Sequence, residues 1–397
     1  MKYSFRTYVA IISFMMVLAQ MAADLYLPAL PDMALALHSN IVTLEKTMFF
    51  YTVGYLLGAL FYGPLSDRIG RRKVIFISLV ICIIGSIFCV NATTITAVFI
   101  GRIIQGLGFG GVNLLARTMI KDISKDLKQM TIAGMVFNMF WAVGIALSPC
   151  IGGYIVTYLG WQAEFIILIV YAIAVLLLGI FVLDETNLSR LTTSFITVGN
   201  DYLQVFLSGR YLLYAFSSAA GFGLLLAYLT ASPAILMIKL HLSATQYGYT
   251  NILLAVGIIC GSVLNRHLAK TYSIDSLIFA GGIIVTLIGL FYLVCGYYNW
   301  LNVFLIILPM FIFGVGLLLV LPNTSNGAVG MFGKIAGSAA AAFTFIQMLG
   351  GSSGSALVTM VHHENQIALG AIMILFGSII ILAARKLLQS ELVLVKA

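Results

Sequence analysis

Asp24 stands near the end of Tyr8–Leu30, a stretch that holds no other formal charge. Arg102 stands in the same situation, inside the apolar run that begins at Ile95. Ionisable groups set in such runs are costly, and they mark proton or ion pathways. Low dielectric favours the neutral acid and a nearby guanidinium favours the anion, so the carboxyl can follow its surroundings. The chemistry implied is proton exchange.

Other chemistries lack their parts. His38, His241, His267, His362 and His363 all map to loops between the apolar runs, and no ligand cluster accompanies them. No metal site or hydrolase centre is expected. The five cysteines have no CxxC pair or histidine neighbour, and they read as small packing residues. No GxxxxGK[ST] loop is present, so no nucleotide cofactor is expected.

The elements that carry these residues follow from composition. The 397 residues are 61% hydrophobic and 9% charged, whereas a soluble domain has about 25% charged residues. Twelve apolar segments are expected: 7–30, 45–65, 74–91, 95–118, 130–156, 163–183, 210–233, 246–265, 275–297, 300–322, 335–359 and 366–384. Each is long enough to span a bilayer, and a spanning segment must satisfy its own backbone bonds as a helix. The expectation is an all-α polytopic membrane protein: residues 1–183 form one six-helix bundle and 210–397 a second. A polar linker, 184–209, joins them.

With the N-terminus in the cytoplasm, all the lysines and arginines except Lys46, Lys239 and Arg102 fall at or beyond the cytoplasmic ends. Both termini are therefore expected inside. The net charge of +8 reflects this asymmetry and the anionic leaflet, so no nucleic-acid partner is invoked.

Depth brings the two charges together. Asp24 lies about 5 Å, one turn, inside the outer boundary, and Arg102 about 10 Å below it. The two are expected to pair directly or through water; the second reading of Asp24 is an acid that reaches the headgroups. Ser13, Gln20 and Asp24 share one helical face. Tyr51, Tyr55, Gly58 and Tyr62 form another stripe, and Arg102, Gln105, Phe109 and Asn113 a third. Asn138 stands in the middle of the fifth span. These faces are expected to line an interior cavity, although the tyrosine stripe also fits plain packing. In the second half Asn251, Asn323, Asn326 and Gln347 are the neutral polar candidates. Asn323 and Asn326 either line the cavity or end span ten after Pro322. Glu45 and Glu164 read as interfacial acids at helix starts. Spans seven, ten and eleven, rich in Gly, Ala, Ser and Pro, suit broken or sliding helices.

Three motifs are sharper. After span two comes Gly63-Pro-Leu-Ser-Asp-Arg-Ile-Gly-Arg-Arg-Lys-Val74. Here Gly63 and Gly70 permit a tight turn, and Asp67, Arg68 and Arg71 form a cytoplasmic latch. Asp67 is expected to accept from an arginine or from helix N-terminal amides. Span four carries Arg102-Ile-Ile-Gln-Gly-Leu-Gly108. Span five carries the small stripe Gly144, Ser148, Pro149, Gly152 and Gly153, which suits a bent, closely packed helix.

GPLSDRIGRRKV resembles the signature of the major facilitator superfamily between spans two and three. The Arg102 segment resembles its arginine motif, and GIALSPCIGG resembles the antiporter motif of drug:proton exporters, with Ser148 where a glycine is expected. DLYLPALP and GWQAEF are similar to the Bcr/CflA family of bacterial drug-efflux transporters. The equivalent of the first motif around Asn265-Arg266-His267 is degenerate.

The resemblance implies a major facilitator fold and proton-coupled efflux of lipophilic or cationic drugs across the inner membrane. It implies Asp24 as the proton-linked acid and Arg102 as its partner. Gln20, Tyr51, Tyr55, Gln105, Asn138, Asn251, Asn323 and Gln347 are the substrate-site candidates. The expected partners are a small-molecule substrate, protons and the lipid bilayer, and the protein is expected to act as a monomer, not as an enzyme. Proton-coupled import or export of a specific metabolite or organic anion, held by Arg102 once Asp24 is protonated, stays open as the alternative.

Overall fold

The computed structural model describes residues 4–124, 126–187, 195–332, 335–361 and 365–396. Among them the chain is helical throughout: α1 (Phe5–Asp24), α2 (Leu30–Ala36), α3 (Ile41–Ile69), α4 (Arg71–Val90), α5 (Ile95–Ile123), α6 (Leu127–Leu159) and α7 (Trp161–Val182) come first. Then follow α8 (Phe195–Phe206), α9 (Gly209–Pro233), α10 (Ala244–Leu268), α11 (Ile274–Tyr297), α12 (Val303–Gly330), α13 (Ala336–Met360) and α14 (Ile367–Lys396). Ten of the described helical stretches are long and apolar enough to cross a bilayer. α6 and α13, at 33 and 25 residues, have the length for two more spans.

Local chemistry sets the ends. Asn40, Thr94, Asp126 and Ser273 each accept the backbone N–H three residues on, at 2.8, 3.3, 2.7 and 3.3 Å, which satisfies an otherwise orphaned donor of the first turn. Gly70 and Gly160, at φ 102° and 81°, turn the chain sharply between α3 and α4 and between α6 and α7.

Helices run further than the apolar runs suggested. The motif Gly63–Ile69 is helical, and only Gly70 serves as the turn. α12 continues through Pro309 and Pro322 to Gly330, so Asn323 and Asn326 do not end it. The apolar neighbours of a spanning helix favour intact backbone bonding even around proline. His267 is likewise helical, in the last turn of α10. The expectation of breaks is met only in part: α13 runs unbroken through Gly350–Gly354, whereas α9 passes after Pro233 into a π-helical turn, Ala234–Lys239. The stretch 184–209 holds α8 among its described residues.

The chain packs as two units. One comprises Met1–Thr192 with Ser243–Tyr249, the first turns of α10; the other comprises Thr193–Leu242 and Thr250–Ala397. In the first unit α5 packs on α3 and α4, α1 on α6, and α7 on α4. Glycines set the spacing. A Cβ at Gly54 would run into the Ile103 carbonyl, and one at Gly106 into the Tyr51 carbonyl, so α3 and α5 touch backbone to backbone. α10 and α12 use the same device in the second unit, through Gly257 and Gly314.

Candidate functional site

α1 stops at Asp24. Leu25 closes the helix on the Met21 carbonyl at 2.8 Å, and Pro28, which has no N–H to give, lies in a 3-10 turn, Leu27–Ala29. The break leaves Tyr26 buried inside the bundle.

Arg102 on α5 is fully buried. Its guanidinium carbon is 4.0 Å from the centre of the Tyr26 ring and 4.3 Å from that of Tyr51, so two aromatic rings attract the cation. Nη1 donates to the Ala22 carbonyl at 2.8 Å and to Gln105 Oε1 at 2.6 Å. Gln105 Nε2 donates in turn to Ser86 Oγ on α4, at 2.8 Å. The rings are themselves fixed: the Tyr51 hydroxyl donates to the Ala19 carbonyl at 3.0 Å, and the Tyr26 and Thr47 hydroxyls bond at 2.9 Å.

Asp24 is also fully buried. Its Oδ2 accepts from Gln20 Nε2, and Gln20 Oε1 accepts from Trp141 Nε1 at 2.8 Å. Asp24 Oδ1 has no hydrogen-bond partner, and neither do Arg102 Nε and Nη2. The direct hydrogen-bonded pair expected from depth alone is therefore not formed. Tyr26 and Tyr51 hold the guanidinium, while Ala22 and Gln105 engage Nη1. Burial of Asp24 also sets aside the reading in which it reaches headgroups. The layer joins an incompletely satisfied acid with an incompletely satisfied guanidinium, an arrangement that can exchange partners when a proton comes or goes.

Of the substrate-site candidates, Gln20, Tyr51 and Gln105 meet in this layer. The Tyr55 ring lies 6.4 Å from the Tyr51 ring. The Asn138 side chain lies outside the described residues. In the second unit Asn251 is buried, Gln347 Nε2 donates to Ser218 Oγ at 2.8 Å, and Asn323 Nδ2 donates to Asn265 Oδ1 at 2.7 Å.

The latch residues gather at the basic end of the first unit. Arg71 Nη1 lies 2.6 Å from Asp67, and Arg71 Nε donates to Asp122 of α5 at 3.3 Å. The amides at the start of α4 go to Glu185 rather than to Asp67: the Arg71 and Arg72 N–H groups donate to its two oxygens at 2.8 and 3.3 Å. Thr186 donates to Asp122, and Asn187 to the Asp67 carbonyl, both at 3.2 Å. Arg68 is exposed. Gly63 is not a packing requirement, because a Cβ there would meet only Leu114 Cδ2 at 3.6 Å.

The small stripe of α6 serves two neighbours. A Cβ at Gly144 would approach Gln20 at 3.1 Å, and one at Gly152 would strike the Leu25 carbonyl. On the other side, one at Gly153 would meet the Ala244 carbonyl at 2.5 Å; Cys150 Sγ donates to the Gly248 carbonyl at 3.1 Å. Ser148 donates to the Gly144 carbonyl at 2.5 Å, one turn back beside Pro149, a combination that bends a helix.

Glu45 and Glu164 are not interfacial. They are 1% and 0% exposed: α2 packs on α3, which carries Glu45, and Gly152 with the bend at Leu25 lies against Glu164. The motifs do not single out Tyr26, Ser86, Trp141, Asp122 or Glu185. Trp141 is discoverable as the residue one turn after Asn138, and Glu185 as the acid just beyond span six.

Residues 12–355 match the profile of the Major Facilitator Superfamily. Multidrug resistance protein D of Escherichia coli (strain K12) is 30% identical over 371 residues, 91% of each chain. The Chloramphenicol resistance protein of Pseudomonas aeruginosa is 26% identical over 375 residues, 90% of this chain and 85% of that one. A D-xylose-proton symporter of solved structure superposes with a TM-score of 0.77 at 16% identity, covering 96% of this chain and 97% of its own, a likeness of fold. Twelve spans and a profile match across most of the chain give one conclusion: this protein is a multi-pass membrane transporter and belongs to the Major Facilitator Superfamily.

Proposed function

We propose that the protein is a proton-coupled exporter, an antiporter of small lipophilic or cationic compounds across the bacterial inner membrane, with both termini in the cytoplasm. The observation that carries the reading is the buried layer of Asp24 and Arg102, in which the acid is held by Gln20 and the guanidinium by two tyrosines. The resistance proteins named among its relatives support the substrate class.

Asp24 takes a proton when the layer opens outward and gives it up when the layer opens inward. Deprotonation leaves a carboxylate that draws on the unused N–H groups of Arg102; protonation releases them. Proton release to the inside lets substrate bind there, and the return of the deprotonated carrier to the outward-open state carries the substrate out. The Arg71 network with Asp67, Asp122 and Glu185 acts as the cytoplasmic latch of this cycle, and the α6 stripe limits leakage during it.

Counterflow in vesicles at two pH values tests this with a labelled lipophilic cation, a neutral lipophilic drug and an organic anion. Exchange of the first two, driven by a pH gradient and lost in Asp24→Asn, is expected. Full coupling in Asp24→Asn overturns the mechanism, and exchange of the anion alone replaces the substrate class.

A further inference from the structure

We propose that Glu164 is a second proton-binding carboxyl of the first unit, exchanging its proton in step with Asp24; the coupling rests on the antiport reading above. Glu164 lies in the first turn of α7, is fully buried, and neither carboxyl oxygen has a hydrogen-bond partner. It therefore does not act as a cap for its own helix. Salt bridging does not explain it either. An ionised carboxylate left so bare is costly, and the acid form is the one that fits.

Its position ties it to the layer already described. A Cβ built on Gly152 would lie 3.2 Å from Glu164 Oε1 and would also collide with the Leu25 carbonyl. Glu164 thus reaches the bend where α1 breaks, next to Asp24 in sequence. Its neighbour Phe165 packs against Tyr26, ring centres 6.2 Å apart, and Tyr26 is one of the two rings on Arg102.

The surrounding charges are few. α1 brings Arg6 and Asp24, α2 Asp32, α4 Arg71, Arg72 and Lys73, and α6 Lys128. Arg6, the α4 group and Lys128 stand at the opposite ends of their helices from the α7 start. Asp32 acts on Glu164 by charge, and Asp24 shares its level. Arg102 is the cation of the Asp24 layer, its guanidinium facing Tyr26 and Tyr51; it gives no hydrogen bond to Glu164, so Glu164 ionises only where water enters. Parting of α6 from the α1 bend at Gly152 admits that water, and the same movement reaches Asp24.

Infrared spectra of the purified protein in lipid, without substrate, test the site. A protonated-carboxyl band that shifts in deuterium oxide, shrinks as pH rises, persists in Asp24→Asn and is lost in Glu164→Gln is expected. An identical spectrum in Glu164→Gln, or a band fixed across pH, overturns the proposal. Glu164→Leu, which fills the apolar site, serves as the folded control. The band needs no substrate, so it judges Glu164 even where the antiport reading fails. In vesicles that do exchange protons for a drug, the proton count per substrate falls by about one in Glu164→Gln, read from the pH slope of the transport equilibrium. An unchanged count overturns the coupling.

Discussion

The central guanidinium carbon of Arg102 sits 4.0 Å from the centre of the Tyr26 ring, and Tyr26 reaches that place only because α1 ends two residues earlier. Tyr26→Phe keeps the ring and is expected to leave Arg102 in place. Tyr26→Leu removes one side of its support, a loss of about 1–2 kcal/mol for a buried cation–π contact. Thermal unfolding of the two variants in detergent, alongside drug efflux, checks the difference.

Arg102→Lys is expected to abolish efflux although the charge remains. An ammonium lacks the planar group that faces two rings and the further Nε and Nη2 donors that Arg102 holds beside the two bonds of Nη1. Transport equal to that of the parent protein would show that charge alone suffices.

Gly152→Ala and Gly63→Ala make a matched pair. The first drives a methyl into the Leu25 carbonyl, while the second finds ordinary contact at 3.6 Å. Gly152→Ala is expected to lower both yield and efflux. Gly63→Ala, inside α3, is expected to be neutral or to stabilise by about 0.5–1 kcal/mol, since glycine weakens a helix. Melting temperatures and uptake assays read both outcomes.

Glu185→Gln is expected to cost about 1 kcal/mol at the start of α4, because a carboxylate there meets the two first amides and the positive end of the helix. Gly70→Ala is expected to cost more, about 1–3 kcal/mol, from backbone strain at φ 102°, with a Cβ directed into the Glu185 carboxylate. Unfolding of the purified variants orders the two.

The spans were legible because apolar runs of bilayer length leave one backbone solution, and Gln20 and Asp24 were legible as one face because they sit one turn apart. Tyr26 was not. On a continuous helix it would point away from Asp24, and only the break at Leu25–Ala29 brings it back. Asp122 and Glu185 were hidden for another reason: their partner Arg71 is distant in sequence, and local charge pattern carries no such pairing. Pro322 misled because a proline that ends a helix in water is accommodated within one in a bilayer. The glutamate at 164 misled too, since helix starts favour acids at the surface and nothing local announces that Gly152 and the bend at Leu25 lie against this one.

The neutral amide pair Asn265–Asn323 joins α10 to α12, whereas the corresponding tie between the α3–α4 turn and α5 is made by Arg71 and Asp122. Mobile counter-ions screen the second kind of tie and leave the first untouched. A salt titration therefore weakens the Arg71–Asp122 tie and leaves the amide pair alone, and the ion pair it would reach in the second unit is a different one, Arg210–Asp275 at 3.3 Å.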